Sequence, residues 1–164
     1  NEEKERAMEL TKVLDGARFA QVGYVVRDLE KTKAAYAAIL GCEEPQICTG
    51  GEYEVTKTRV FGIPAPGAEC KMAFFNLPSG VQLELIEPND APSVWRDHLD
   101  RYGEGIHHIA FSVDNTDETV EKCLKMGMTV EQEGNYGDNS GRYVYLDAFD
   151  LLKCRVELLE SFHE

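Results

Sequence analysis

The chain contains an internal repeat, and this repeat strongly limits the folds open to its 164 residues. Residues 81–87 read VQLELIE and residues 154–160 read CRVELLE. Residues 21–26 read QVGYVV and residues 108–113 read HIAFSV, and a helical pattern follows each of these two segments. Self-similarity of this kind indicates a supersecondary unit that is used more than once. The sequence therefore predicts two modules of the same architecture within one domain.

Turn and helix signals divide the chain around these modules. Each module reads as a strand, a helix and three further strands, which predicts the α+β class with two tandem βαβββ modules in a cupped mixed sheet. In the first module, residues 53–61 are predicted to form one of these strands. The predicted boundaries are a helical extension over residues 1–17 with its helix at 2–14, the first module over 18–88, a linker helix over 89–104, and the second module over 105–164.

The repeat aligns Gln21 with His108 and Glu84 with Glu157. Side chains alternate between the two faces of a strand, so neighbours on the opposite face are predicted to be bulky, apolar and covered by the helices. His107 falls on that apolar face by the same rule. The face with the aligned residues mixes acids, an amide, an imidazole and small residues, as a ligand cavity does. It is predicted to carry Gln21, Glu84, His108 and Glu157 at its centre, with Gln82, Ser112 and Arg155 in a substrate pocket.

Two carboxylates in the middle of apolar strands require a positive partner, because burying an unpaired carboxylate costs several kcal/mol. Arg155 is the one basic residue in these strands. A divalent metal would satisfy both acids, and three oxygens with one nitrogen suit an open site better than a closed structural zinc site. The predicted cofactor is one divalent ion, either zinc, nickel, cobalt, manganese or magnesium. Taken singly, each residue also fits an ordinary surface acid, surface amide or core histidine.

The net charge of −13 argues against a nucleic-acid or anionic-membrane surface. The 5 cysteines are scattered without a CxxC pair, which favours a reduced, cytoplasmic protein. No apolar run approaches the roughly 18–20 residues of a membrane span.

Four stretches together resemble the vicinal oxygen chelate superfamily, over roughly residues 18–161. They are residues 25–30 (VVRDLE), 83–88 (LELIEP), 105–111 (GIHHIAF) and 156–159 (VELL). The resemblance implies paired βαβββ modules around one metal, with Gln21, Glu84, His108 and Glu157 in the ligand positions. It also implies that Glu157 acts as the catalytic base and Glu84 as its symmetric counterpart. Members of the superfamily often dimerise, so a homodimer is expected.

The resemblance implies an enzyme that removes a proton next to a carbonyl. The sequence around Gly105 is similar to the methylmalonyl-CoA epimerase branch, whereas Gln21 is similar to the first ligand of some zinc-type glyoxalases. The expected substrate is a small carbonyl compound or thioester, and lactoylglutathione lyase activity is the alternative. A metal-free binding protein of the drug-resistance type and an extradiol dioxygenase are less favoured, because all four ligand types are present and the first is not histidine. Residues expected to reach CoA phosphates are Lys57, Arg59, Arg96 and Arg101.

Overall fold

The computed structural model describes residues 1–5 and 12–162 of the chain. The N-terminal helix predicted over residues 2–14 falls partly outside these ranges. Residues 2–5 are helical, residues 6–11 lie outside the described residues, and residues 12–16 form a turn rather than helix. In the described part of the chain, no helix has both the length and the apolar character needed to cross a bilayer.

The two modules follow the predicted order of strands and helices, with short additional elements. The strands are β1 (Arg18–Val25), β2 (Cys48–Thr49), β3 (Arg59–Val60), β4 (Ile63–Pro64), β5 (Cys70–Asn76), β6 (Gln82–Pro88), β7 (Gly105–Ser112), β8 (Thr129–Asn135), β9 (Gly141–Asp147) and β10 (Arg155–Ser161). The helices are α1 (Leu29–Leu40), α2 (Tyr53–Thr56), α3 (Val94–Tyr102), α4 (Thr116–Lys125) and α5 (Phe149–Leu152).

Local sequence explains where the long helices begin and end. Asp28 caps α1 by accepting from the backbone N–H of Lys31, and Gly41 ends the helix in the left-handed conformation that glycine adopts without strain. Ser93 caps the linker helix α3, and Asn115 caps α4. These caps satisfy backbone donors that have no partner within the helix.

One mixed sheet of 10 strands, in the order β2-β5-β6-β1-β7-β10-β9-β8-β3-β4, curls into a half-barrel. Within each module the first and last strands are parallel neighbours: β1 pairs with β6, and β7 pairs with β10. The modules join where β1 and β7 run antiparallel at the centre of the sheet. The sheet and its helices confirm the predicted α+β class and the cupped mixed sheet. All four predicted ligands lie on four adjacent strands near the centre of this sheet, β6, β1, β7 and β10.

The convex face of the sheet packs under the helices, as alternation predicts. One apolar cluster joins α1 to the first module through Leu29, Ala37 and Leu85. A second joins α4 to the second module through Cys123, Val156 and related residues. A third cluster packs α3, through Trp95, against part of the concave face, and the rest of that face is left for polar side chains.

The prediction of a strand over residues 53–61 is wrong. Residues 53–56 form the short helix α2, and only Arg59–Val60 is extended. This strand pairs with β8 of the second module on one side and with β4 on the other. Residues 50–64 thus form a strap that leaves the main strands of the first module and joins the far edge of the sheet. Periodicity cannot reveal such a crossing, because it reports local geometry and not the pairing partner.

Candidate metal centre and active site

The four aligned side chains converge at the centre of the concave face. All four residues are buried, and His108 has no exposed surface. The His108 Nε2 atom lies 2.9 Å from Gln21 Oε1, 3.0 Å from Glu157 Oε2 and 3.7 Å from Glu84 Oε1. Three oxygens from three other strands therefore surround one imidazole nitrogen.

A chain of amides fixes which atom of Gln21 faces this centre. The Nε2 group of Gln21 donates to Gln82 Oε1 at 2.8 Å, and the Nε2 group of Gln82 donates to Asn76 Oδ1 at 3.1 Å. Gln21 must then present its carbonyl oxygen to His108. Each amide in the chain is oriented by the next, so Gln21 contributes an acceptor and not a donor to the centre.

A β-bulge places His107 on the same side of the sheet as His108. Gly23 pairs with His108 and Tyr24 pairs with Ile106, so His107 is an extra residue opposite no partner. Alternation fails at a bulge, because two consecutive residues then oppose one. The prediction that His107 lies on the apolar face is therefore wrong. His107 links the sheet to a helix, since its Nε2 approaches the carbonyl oxygen of Val94 in α3 at 3.3 Å.

The hydrogen bonds of the two histidines determine whether Nε2 of His108 carries a hydrogen or a lone pair. His107 must carry its hydrogen on Nε2 to donate to Val94, and burial beside His108 and Arg155 holds its pKa well below the usual value, so it stays neutral. Its bare Nδ1, 2.9 Å from the Nδ1 of His108, then accepts a hydrogen from His108. A neutral His108 consequently points the lone pair of Nε2 at three oxygens that also carry lone pairs.

Such a set of acceptors needs one positive charge at its centre. Glu84 Oε1 and Glu157 Oε2 are buried without a hydrogen-bond partner among the described residues. Burial and the neighbouring Glu157 charge raise the pKa of Glu84 well above its usual value. A proton on Nε2 or a metal ion would each relieve the repulsion. The unpartnered oxygens and the fixed lone pairs fit a hard or borderline divalent cation held by three oxygens and one nitrogen.

The donors contact one another directly. Among residues 1–5 and 12–162, no three His, Cys, Asp or Glu side chains are grouped as a metal shell. The amide oxygen of Gln21 would be the fourth donor to an ion at this centre.

Gly23 provides the space for the His108 ring. It lies across from His108 on the antiparallel neighbour and beside Glu84 on the parallel one. A Cβ atom at this position would lie 2.0 Å from Cε1 of His108, so any side chain would displace the imidazole. This close approach of backbone and ring explains a glycine in the middle of a buried strand.

The centre opens into a cavity of about 720 Å³ on the concave face. Gln21, Glu84 and Glu157 lie on its floor, Thr56 and Thr58 of the strap form part of its wall, and its described lining contains no lysine or arginine. Gly51 of the strap and Gly137 of the β8–β9 turn meet across it so closely that a Cβ on Gly51 would lie 2.4 Å from Gly137 Cα.

Of the three residues predicted to line the substrate pocket, only Gln82 borders this cavity. Arg155 lies behind the centre, where its guanidinium donates to Glu131, to His98 Nδ1 at 2.9 Å and to the carbonyl of His107 at 3.2 Å. Ser112 lies at the end of β7, beyond the cavity. Ser112 and Arg155 thus lie outside the lining of this cavity, because alternation assigns a face but not the depth or partner of a side chain.

Three aromatic residues form a wall that sequence reasoning did not assign to the site. Trp95, Tyr143 and Tyr145 line the cavity and contact one another. Trp95 also belongs to an apolar core cluster, so it both anchors α3 and lines the cavity. The spacing of Tyr143 and Tyr145 places them on one strand face, but only the pairing of β9 with β10 shows that this face adjoins Glu157.

This fold and this site define a class of protein. Residues 20–145 match the model of the Glyoxalase/Bleomycin resistance protein/Dioxygenase superfamily. The chain belongs to this superfamily, in agreement with the resemblance seen in its sequence.

Within the superfamily, several proteins similar to this chain are methylmalonyl-CoA epimerases. The mitochondrial enzyme of Bos taurus is 27% identical over 152 residues, covering 88% of this chain and 74% of the relative. A Streptomyces coelicolor methylmalonyl-CoA epimerase variant, solved in complex with 2-nitronate-propionyl-CoA, is 26% identical with a TM-score of 0.62, covering 89% of this chain and 98% of that one. The Mycobacterium tuberculosis enzyme shares the fold at 21% identity and a TM-score of 0.63, covering 88% of both chains.

Proposed function

We propose that the protein is a metal-dependent epimerase that inverts the carbon next to the carbonyl of a CoA thioester of the methylmalonyl type. The observation that carries this proposal is the pair of buried carboxylates, Glu84 and Glu157, which approach one imidazole nitrogen from two symmetric strands. Epimerisation needs a proton acceptor on one side of a carbon and a proton donor on the other. A pair of acids related by the internal repeat meets this requirement.

The reaction follows from these positions. Glu157 takes the proton from the carbon next to the thioester carbonyl, and the electrons of that C–H bond move into the carbonyl to give an enolate. Glu84 returns a proton to the opposite face, so the carbonyl re-forms and the configuration is inverted. Gln21, Glu84, His108 and Glu157 would hold the divalent ion, which supplies Lewis-acid stabilisation of negative charge on oxygen. A base in the right place contributes about 10²–10⁴-fold.

The charge of the cavity limits how a CoA thioester can bind. Because no lysine or arginine lines the described cavity, the phosphates must remain outside it and only the acyl end can reach the centre. Arg96 and Arg101 are already paired with neighbouring aspartates, and Lys57 lies over the ring of Tyr53. Of the four residues expected to reach phosphates, Lys57 and Arg59 belong to the strap at the cavity.

One observation favours a second candidate function. The first donor is a glutamine rather than a histidine, as in some zinc-type glyoxalases, and the amide chain through Gln82 holds its oxygen toward the centre. Hemithioacetal isomerisation uses the same proton abstraction and differs in the carbon to which the proton returns. Lactoylglutathione lyase activity is therefore the alternative for the same site.

The test is a deuterium-exchange assay on purified protein loaded in turn with zinc, nickel, cobalt, manganese or magnesium. We expect loss of the α-proton signal of methylmalonyl-CoA in D₂O, with interconversion of its epimers. Glu157→Gln and His108→Ala should abolish interconversion, and His108→Ala should also lose bound metal by elemental analysis. Glu160→Gln, three residues along the same strand, is the matched control.

Three results would overturn or redirect the proposal. Full activity in Glu157→Gln would remove the assigned base. Turnover of the methylglyoxal–glutathione hemithioacetal without epimerisation would replace the leading function with the alternative. Failure of every tested ion to bind would remove the metal centre. The homodimer, the cytoplasmic location and the domain boundaries remain predictions, and sedimentation of the purified protein would test the first of these.

A further inference from the structure

Tyr145 lies directly across the strand pair from Glu157, at the floor of the cavity. The two residues are cross-strand partners in the β9–β10 ladder, so their side chains project from the same face. The Tyr145 ring lies 5.1 Å from the His108 ring, centroid to centroid. The residue is 2% exposed, yet it borders the cavity. Its hydroxyl is therefore a buried polar group beside the proposed catalytic residues.

The hydrogen bond from Trp95 determines the direction of this hydroxyl. An indole N–H can only donate, so Tyr145 Oη must accept the 3.0 Å hydrogen bond from Trp95 Nε1. The hydroxyl hydrogen then needs another partner, and no hydrogen bond donated by Tyr145 is found in residues 1–5 and 12–162. A buried O–H without an acceptor is destabilising, because its lost hydrogen bond to water is not replaced. This donor is available to a molecule in the cavity.

The internal repeat shows that packing alone does not require this hydroxyl. Glu84 pairs across its own ladder with Phe74, which also borders the cavity. The register makes Phe74 the counterpart of Tyr145 in the other module. The two modules thus place the same aromatic ring opposite their acids, and only the second adds an oxygen.

We propose that Tyr145 is a further catalytic residue, whose hydroxyl donates a hydrogen bond to the substrate oxygen on which negative charge develops when Glu157 removes the proton. This inference rests on the proposed function. A donor held in place before the reaction stabilises developing charge without reorganising, and removing one such donor typically lowers kcat about 10²–10³-fold.

The test uses the metal-loaded protein and its Tyr145→Phe variant, which keeps the ring and copies the Phe74 arrangement. We expect kcat for epimerisation to fall about 10²-fold or more while KM changes little, because the bond strengthens only as charge develops. The binding probes are 2-nitronate-propionyl-CoA, which carries the negative charge of the intermediate, and propionyl-CoA, which does not. The variant should lose at least about 10-fold in affinity for the nitronate and little for propionyl-CoA.

Trp95→Phe and a fluorinated tyrosine at position 145 keep the inference testable if Tyr145→Phe folds poorly. Trp95→Phe retains the phenol, so it should still bind the nitronate more tightly than propionyl-CoA. The fluorinated residue donates more strongly and should bind the nitronate more tightly relative to propionyl-CoA. Equal losses for both probes, or unchanged kcat in Tyr145→Phe, would overturn the role of Tyr145 while leaving the epimerase intact. A wild-type protein that neither epimerises nor binds the nitronate would refute the proposed function itself.

Discussion

The two modules place equivalent residues at the centre but support them by different means. In the first, Gln21 is held by neutral amides that run through Gln82 to Asn76 at the exposed end of β5. In the second, His108 is hydrogen-bonded to His107, and buried charged side chains lie behind the His107 ring. Arg155, the counterpart of Gln82 in the repeat, donates to Glu131 and to the carbonyl of His107.

The difference follows from what each ligand needs. An amide needs only its oxygen turned inward, and one hydrogen bond achieves this. An imidazole needs a specified tautomer, since either nitrogen can carry the hydrogen, and a second histidine specifies it. The repeat duplicates the geometry of the site, whereas the surrounding residues adapt each copy to a different donor.

The largest expected effect is the loss of epimerase activity when either acid is changed, and it tests whether the two acids have different roles. Glu157→Gln and Glu84→Gln should each reduce epimerisation about 10²–10⁴-fold. If each acid serves one face, Glu84→Gln should still exchange the α-proton of one epimer in D₂O, and Glu157→Gln should not exchange that epimer. NMR of the separate epimers measures this. Identical exchange patterns in both variants would show that the modules are not divided between the faces. Glu87→Gln, on the same strand as Glu84, is the control.

Removing the charged residue behind His108 should cost more stability than removing the amide that holds Gln21. Arg155→Met leaves Glu131 as a buried, unpaired carboxylate and should lower the free energy of unfolding by roughly 3–5 kcal/mol. Gln82→Leu should cost only about 1 kcal/mol, because one hydrogen bond to Gln21 is lost. Urea unfolding monitored by circular dichroism would compare them. Similar losses in the two variants would contradict the contrast between the modules, and Arg155→Met combined with Glu131→Leu should recover part of the loss.

The two ligands should also differ in how much space they need from the strand opposite them. Gly23→Ala places a methyl group against His108 and should cost about 1–3 kcal/mol of stability, with weaker zinc binding in a competition titration. Its counterpart Ala110 lies opposite Gln21 and is fully buried without a clash. Ala110→Gly should therefore leave zinc affinity nearly unchanged, and a larger loss there than in Gly23→Ala would refute this account.

The smallest effect is a pH dependence of stability that arises behind the second module. Burial and the adjacent Arg155 lower the pKa of His98 to about 4. The unfolded chain, with a histidine pKa of about 6.5, then binds more protons between these values, so stability should rise as pH increases from about 4 to about 6.5. His98→Gln should flatten this rise in the urea midpoint. An unchanged slope would show that His98 does not carry it.

Alternation and repeat explain why much of the fold could be predicted. Both patterns depend on residues close in sequence, so β1, β6, β7 and β10 and their apolar faces were identifiable without knowledge of pairing. Residues 53–61 show the limit, because they contain strand-forming residues but turn into a helix and then pair with the other module. His107 shows a second limit, since one extra residue in a ladder reverses the predicted face.

The sequence by itself determined the paired modules and the alignment of Gln21 with His108 and of Glu84 with Glu157. Tertiary structure decided which tautomer His108 adopts, where Arg155 goes and which hydroxyl faces the cavity. The physical reason is that backbone periodicity sets the face of a side chain from its nearest neighbours. Hydrogen-bond direction instead depends on partners 50 residues away for Trp95 and Tyr145, and these meet only when the sheet curls.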